Sequence, residues 1–404
     1  MIKTNTYFLA ILLMTGLCGC KMMKIVKTIQ SATLNQKQFN IAMPFDYPVS
    51  HILLHIGVNG SPQKYEFIFD SGAGITVISQ TLADNLGLKT VNTIPVKDGQ
   101  GTTVQKKLVI IPELDLNGLK FYNVGAVVSD FGPNSAINCL GKDGIIGVNV
   151  ISKCNWTVDF PLQTLTATDT ALNFPKDAIS IPFYFNIPHI NVNVNGTLVK
   201  GVFVDLGSNE SFTLQQSVLT SNPGLFPGNA MCRQTGYSAE GFNGAGLNTI
   251  WYTNHDSLNI NGQNFYPVQT TIMNSPMNRI GNKFWEQYLM GIDYKSHEIL
   301  LSRNKSPVAD TTLKGMGFAM SKTDSGYVIS AVFDNSPATD KGLKINDLVT
   351  EIDGRPMAQK FSSYCQFIMW VKTNLPELQT ITIKIKGRND LIVLNKDNYR
   401  PVKR

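Results

Sequence analysis

A chain of 404 residues, 43% hydrophobic and 16% charged, carries core material for about two to four globular domains. Its formal net charge of +6 is mild and spread along the chain, which removes the electrostatic case for a nucleic-acid partner. The six cysteines and five histidines show no CxxC, HExxH or clustered ligand spacing, and no Gly-rich phosphate loop precedes a basic helix start. Neither a metal nor a cofactor is expected.

Residues 1–19 have the layout of an export signal, with Lys3 followed by an apolar stretch from Tyr7 to Met14. That stretch falls well short of the ~18–20 residues a membrane-crossing helix needs. Leu17-Cys18-Gly19-Cys20 resembles a bacterial lipobox, which implies cleavage before Cys20 and lipidation of that cysteine. The resemblance also implies several acyl chains, enough for durable attachment to a membrane. The expected location is the bacterial cell envelope, and Lys21 in place of an aspartate permits the periplasmic side of the outer membrane. Residues 20–40, polar and basic, read as a tether.

From residue 41 the chain says one thing twice, in residues 41–172 and 173–305. Met43-Pro44-Phe45 matches Ile181-Pro182-Phe183, and Pro48-Val49-Ser50-His51-Ile52 resembles Pro188-His189-Ile190. Leu54-His55-Ile56-Gly57-Val58-Asn59-Gly60 matches Asn191-Val192-Asn193-Val194-Asn195-Gly196. Phe67-Ile68-Phe69-Asp70-Ser71-Gly72-Ala73 then answers Val202-Phe203-Val204-Asp205-Leu206-Gly207-Ser208. Further on, Ile145-Ile146-Gly147 answers Arg279-Ile280-Gly281, at a distance from its acid that differs by one residue between copies. Period-two apolar alternation and Asn-Gly turns mark both copies as strand-rich. Two copies are too few for a solenoid, so two similar β-lobes facing each other are expected.

These residues resemble the aspartic peptidase superfamily, in particular its retropepsin-like bacterial branch, whose chains often end in a PDZ module. The fold class implied is mainly β, with two duplicated pepsin/retropepsin-like lobes followed by a small α/β PDZ module. In that family each lobe carries Asp-Thr/Ser-Gly on a loop, with a later hydrophobic-hydrophobic-Gly strand crossing behind it. Asp70-Ser71-Gly72-Ala73 fits this well and Asp205-Leu206-Gly207-Ser208 less well. The implied catalytic pair is Asp70 and Asp205, acting on a polypeptide substrate. Two carboxyls about 3 Å apart cannot both ionise, so one shared proton makes the pair both general acid and general base.

Ser71, Gly72, Gly207 and Ser208 are the expected supports of the dyad. The glycines let backbone N–H groups approach the carboxylates, and the hydroxyl of Ser71 can cross to the other lobe. Leu206 has no polar atom to return that bond, whereas Ser208 is placed to reach the outer oxygen of Asp205. The Leu206 departure keeps a second reading open, an inactive peptide-binding lipoprotein or scaffold. Candidate flaps lie between acid and later glycine in both copies: Gly99 and Gly101 in the first, and a Gly-rich stretch with Tyr237 in the second.

The last hundred residues differ in texture. Gly315-Met316-Gly317-Phe318, Gly326-Tyr327-Val328-Ile329-Ser330, Ser336-Pro337-Ala338 and Asn346-Asp347-Leu348-Val349 form an ordered series that resembles a PDZ domain over 311–396. The resemblance makes Gly315, Met316, Gly317 and Phe318 the carboxylate-binding loop, with a peptide C-terminus as partner. Of the four cysteines outside the leader, Cys139 and Cys154 flank the Ile145-Ile146-Gly147 strand; they either bridge or, the favoured expectation, stay as buried thiols beside Cys232 and Cys365.

Overall fold

The computed structural model describes residues 22–97, 103–132, 135–226, 231–237, 247–255, 258–265, 268–304 and 313–402. The signal, Cys20, Gly99, Gly101 and the tip of the second candidate flap lie outside these residues.

Apolar alternation broken by Asn-Gly pairs builds hairpins, because both residues of such a turn sit in the left-handed region that Asn and Gly tolerate. Asn117 and Gly118, at φ 54° and 93°, join the strands Thr103–Leu116 and Leu119–Ser129. Asn195 and Gly196, at φ 47° and 87°, join His189–Val194 to Thr197–Val204.

The same pairing recurs in the two copies. In the first, Leu53–Val58 runs antiparallel to Lys64–Phe69, which pairs in parallel with Gly144–Ile146; that strand meets Thr76–Ser79 antiparallel, and Thr76–Ser79 pairs in parallel with Leu119–Ser129. In the second, His189–Val194, Thr197–Val204, Arg279–Ile280, Phe212–Gln215 and Val268–Met273 follow in the same order and senses.

A third, six-stranded sheet joins the copies. Its order is Ile179–Pro182, Glu298–Arg303, Tyr288–Asp293, Asn155–Asp159, Thr164–Thr168, Asn40–Pro44, three strands from each copy in mirrored sequence. The seam is antiparallel, with Trp156 opposite Ile292, Thr157 opposite Gly291 and Val158 opposite Met290. One continuous apolar core runs through both copies, including the fully buried Trp156, Trp285, Phe67 and Phe69.

The C-terminal module has its own core around Phe367, Ile329, Ile352 and Ile383, yet it is joined to both lobes. Its strand Gly326–Phe333 pairs antiparallel with Met231–Tyr237, so the second lobe's sheet continues through the lobe-two hairpin into the module and ends at Phe318–Thr323. Gly236 has no side chain, and a Cβ there would collide with Ala331 across the junction. The folded part extends past residue 396, where the expected module ended: Asp397–Asn398 pairs with Lys314–Gly315, and Val402 N–H donates to Met231 O at 3.0 Å.

Two further expectations are corrected. Residues 22–40 are folded onto lobe one in place of a free tether. Residues 22–29 are helical, and Ile25 and Ile29, one helical turn apart, pack against Ile94, Leu108 and Val127. Thr33–Leu34 then pairs with Tyr122 and Phe121. The cysteines also differ from expectation. Cys139, on the helix Ala136–Leu140, is bridged to Cys365, on the helix Tyr364–Met369, across 226 positions, while Cys154 and Cys232 are free and buried. The two helices meet only through the tertiary docking of module on lobe, which sequence spacing does not reveal. Among the described residues no helix is long and apolar enough to cross a membrane.

Candidate active site

Asp70 and Asp205 leave their parallel strand pairs at equivalent points. Asp70 N–H donates to Ile146 O at 3.0 Å, and Asp205 N–H to Ile280 O at 2.9 Å. Each chain then turns back on its own carboxylate. Asp70 Oδ1 accepts from the amides of Gly72 at 2.8 Å and Ala73 at 3.0 Å, and Asp205 Oδ1 from Gly207 at 3.0 Å.

The turns face each other across the seam. A Cβ on Gly72 would lie 2.7 Å from Asp205 Oδ1, and one on Gly207 would run into the Asp70 carboxyl. Only glycine fits at either place. Each carboxyl therefore lies against the glycine turn of the other lobe. Burial, and next the charge of Asp205, push the Asp70 carboxyl well above the ordinary carboxylate range; the Gly72 and Ala73 amides pull the other way without prevailing.

Ser71 crosses between lobes. It is fully buried; its hydroxyl donates to Val204 O at 2.7 Å and accepts from Leu206 N–H at 3.0 Å. Leu206 is itself fully buried and belongs to the common core, so lobe two offers packing where lobe one offers a hydroxyl. Ser208 does not turn to Asp205. Its Oγ accepts the Glu210 amide at 3.4 Å, two residues on in the same turn.

Beside the pair, His51 is held by a ring nitrogen against Val49 O at 2.9 Å. Burial lowers its pKa, and it senses both Lys372 of the C-terminal module and Asp205. His189 repeats the arrangement in lobe two, with its ring against Ile187 O at 2.6 Å. Sequence reasoning aligned these histidines as part of the repeat without placing His51 at the site.

Three other residues that tie one lobe to the other were missed. Asn282 donates to both Leu206 O and Ser50 O, and Tyr47 donates to Glu286 at 2.7 Å. One signal was available for Asn282: it stands directly after Gly281, where the other copy carries the apolar Val148.

Tyr237 ends the strand Met231–Tyr237 and is 40% exposed at the margin of the hairpin that continues into the C-terminal module. Gly315, Met316, Gly317 and Phe318 lie together at the start of the sheet's last strand, with Gly317 at φ 85°. A Cβ on Gly315 would strike the Tyr399 hydroxyl. Among the described residues no cluster of three or more acidic, histidine or cysteine side chains could hold a metal ion.

The family model described as aspartyl protease matches residues 54–150, and the model described as PDZ domain matches 315–385. The chain carries an aspartyl protease domain and a C-terminal PDZ domain, a protease-like, peptide-binding combination. The protease match covers Asp70 and Gly147; Asp205 lies beyond it. No curated protein matches the chain.

Proposed function

We propose that the protein is an aspartic endopeptidase in which Asp70 and Asp205 share one proton and activate a water against an extended polypeptide lying between the lobes. The supporting observation is that each copy of the repeat delivers one carboxyl against the other copy's glycine turn, Asp205 against Gly72 and Asp70 against Gly207. Asp70, kept protonated, is the acid that gives its proton to the scissile carbonyl oxygen, and Asp205 is the base that takes one from water. The C–O bond forms and the carbonyl becomes a gem-diol. The proton on Asp205 then passes to the amide nitrogen as the C–N bond breaks, while Asp70 recovers a proton from a diol hydroxyl. The lobe-two hairpin bearing Tyr237 covers the bound chain, and the PDZ edge strand Phe318–Thr323 takes a peptide C-terminus. Lipidation of Cys20 holds the protein in the bacterial envelope, on the periplasmic side of the outer membrane. Replacing Cys20 with Ala is expected to move it to the soluble fraction.

The test uses the purified soluble form with an unfolded protein at mildly acidic pH, with and without a statine inhibitor. Asp70→Asn and Asp205→Asn are each expected to abolish cleavage with the fold intact; undiminished cleavage by either variant refutes the assignment. Leu206 favours one alternative, a peptide-binding scaffold whose lobes have lost cleavage. Absence of cleavage by the folded wild-type protein, with peptide binding retained, would select it.

A further inference from the structure

Asn282 opens the short helix Asn282–Trp285, directly behind the second motif, and is fully buried. Its backbone does what Val148 does in lobe one: Asn282 N–H donates to Ser208 O at 2.8 Å, and Val148 N–H to Ala73 O at 2.7 Å. Its side chain has no counterpart there. Asn282 Nδ2 donates to Leu206 O at 2.8 Å and to Ser50 O at 2.8 Å. Both partners are carbonyls, which only accept, so the amide's NH2 end must face them.

The two acceptors belong to different lobes. Leu206 is the middle residue of the second motif, and Ser50 sits in the lobe-one turn Pro48–Ser50. That turn holds Val49 and Ser50 at φ 52° and 58°, a left-handed conformation that persists in such residues only when neighbours enforce it. One turn further along lobe two, Glu286 Oε2 accepts from the Tyr47 hydroxyl at 2.7 Å. Residues 282–286 therefore grip residues 47–50 at two points.

The backbone of Leu206 is consequently fastened on both sides. Its N–H is taken by Ser71 of lobe one, and its C=O by Asn282, which is itself tied to lobe one. We infer that Asn282 is a positioning residue for Asp205, supplying the cross-lobe tie that a hydroxyl at position 206 would otherwise make. The inference rests on Asp70 and Asp205 being the dyad. Asn282 touches neither substrate nor the reacting atoms; it acts by keeping the two carboxyls close.

The test compares wild type with Asn282→Ala by 13C NMR titration of the aspartate carboxyls and by pH–rate profiles on a peptide substrate. His51 and Lys372, the other titratable groups sensed beside the pair, are left intact. Carboxyls that move apart couple more weakly, so the pair's two apparent pKa values should converge and the bell of kcat/KM should narrow. A displacement on the order of 1 Å is expected to lower kcat by about a hundredfold, with KM little changed. In a Leu206→Thr background, where a hydroxyl is restored, the same replacement should cost much less. A merely structural Asn282 would lower thermal stability and leave bell width and pKa separation as in wild type; that result overturns the inference, as does an equal loss in the Leu206→Thr background. If Asn282→Ala does not fold, Asn282→Ser, whose hydroxyl can keep one carbonyl, carries the same comparison with a smaller shift. Wild-type protein without Asp70-dependent hydrolysis would sink the peptidase reading, while the titration would still decide the role of Asn282.

Discussion

The two lobes present the same acid from the same strand pairing, yet they secure it by different means. Lobe one spends a polar side chain, Ser71, on the partner lobe, and gives Asp70 two backbone donors. Lobe two fills the matching position with the fully buried Leu206 and supplies its polar tie from Asn282, further along the chain. A duplicated site thus has tolerance built into it: the geometry asked of the pair can be met by a hydroxyl within the motif or by an amide behind it. The apolar residue in the second motif is therefore weaker evidence of lost activity than the motif alone implies.

The largest effect that would break this comparison is at the acids. Either Asp70→Asn or Asp205→Asn should lower kcat by about 10²–10⁴-fold or more, read as cleavage of a quenched peptide by folded protein. Gly207→Ala comes next, because its Cβ collides with the Asp70 carboxyl. It should remove most activity, and Gly72→Ala should mirror it against Asp205.

The lobe difference itself is sharpened by Ser71→Ala against Leu206→Ala. The first strands two buried backbone groups, Val204 O and Leu206 N–H, each costing about 1–3 kcal/mol, and should depress activity as well as stability. The second opens a cavity costing about 2–5 kcal/mol but leaves the tie from Asn282 to the 206 carbonyl, so chemical denaturation should register it more than kinetics does.

A smaller effect concerns the PDZ domain, which is sewn to lobe two by strand pairing and to lobe one by the Cys139–Cys365 disulfide. Cys365→Ser should cost about 2–4 kcal/mol. Limited proteolysis should find the module loosened from lobe one while its pairing with the lobe-two hairpin persists.

The smallest is a pH effect on stability. The Asp70 pKa is raised in the folded state by burial and by Asp205, so the folded chain holds more protons than the unfolded one between the ordinary carboxylate value and the raised one. Stability therefore falls as pH rises through that window. Asp70→Asn removes this slope. Its Tm should exceed wild type at the alkaline end, by about 2–4 °C for each kcal/mol relieved, and match it below the ordinary carboxylate range.

Much of this architecture was legible in the chain because the repeat carries it. The Asn-Gly turns, the alternating strands and the paired acids are local patterns, and duplication checked each against its twin. What escaped detection depends on surfaces meeting. Residues 22–40 looked like a tether because their polar residues outnumber the few apolar ones, Ile25, Ile29, Ala32, Leu34 and Phe39, that dock on lobe one. Cys139 and Cys365 are brought together only by the docking of two helices. Ser208 was assigned by its place in the motif, yet a hydroxyl goes to whichever donor or acceptor its turn brings near, here Glu210. Asn282 left the clearest trace, a polar residue where the other copy is apolar. Reading the repeat for its differences as well as its matches would have found it.

Calorimetric titration of the purified soluble chain with a statine-type inhibitor at mildly acidic pH tests most directly whether one polypeptide completes the site. One inhibitor bound per chain, with proton exchange detectable as a dependence on buffer ionisation enthalpy and binding lost in both Asp70→Asn and Asp205→Asn, is the result expected here. One inhibitor per two chains, or binding that survives either replacement, would contradict a single proton shared between Asp70 and Asp205.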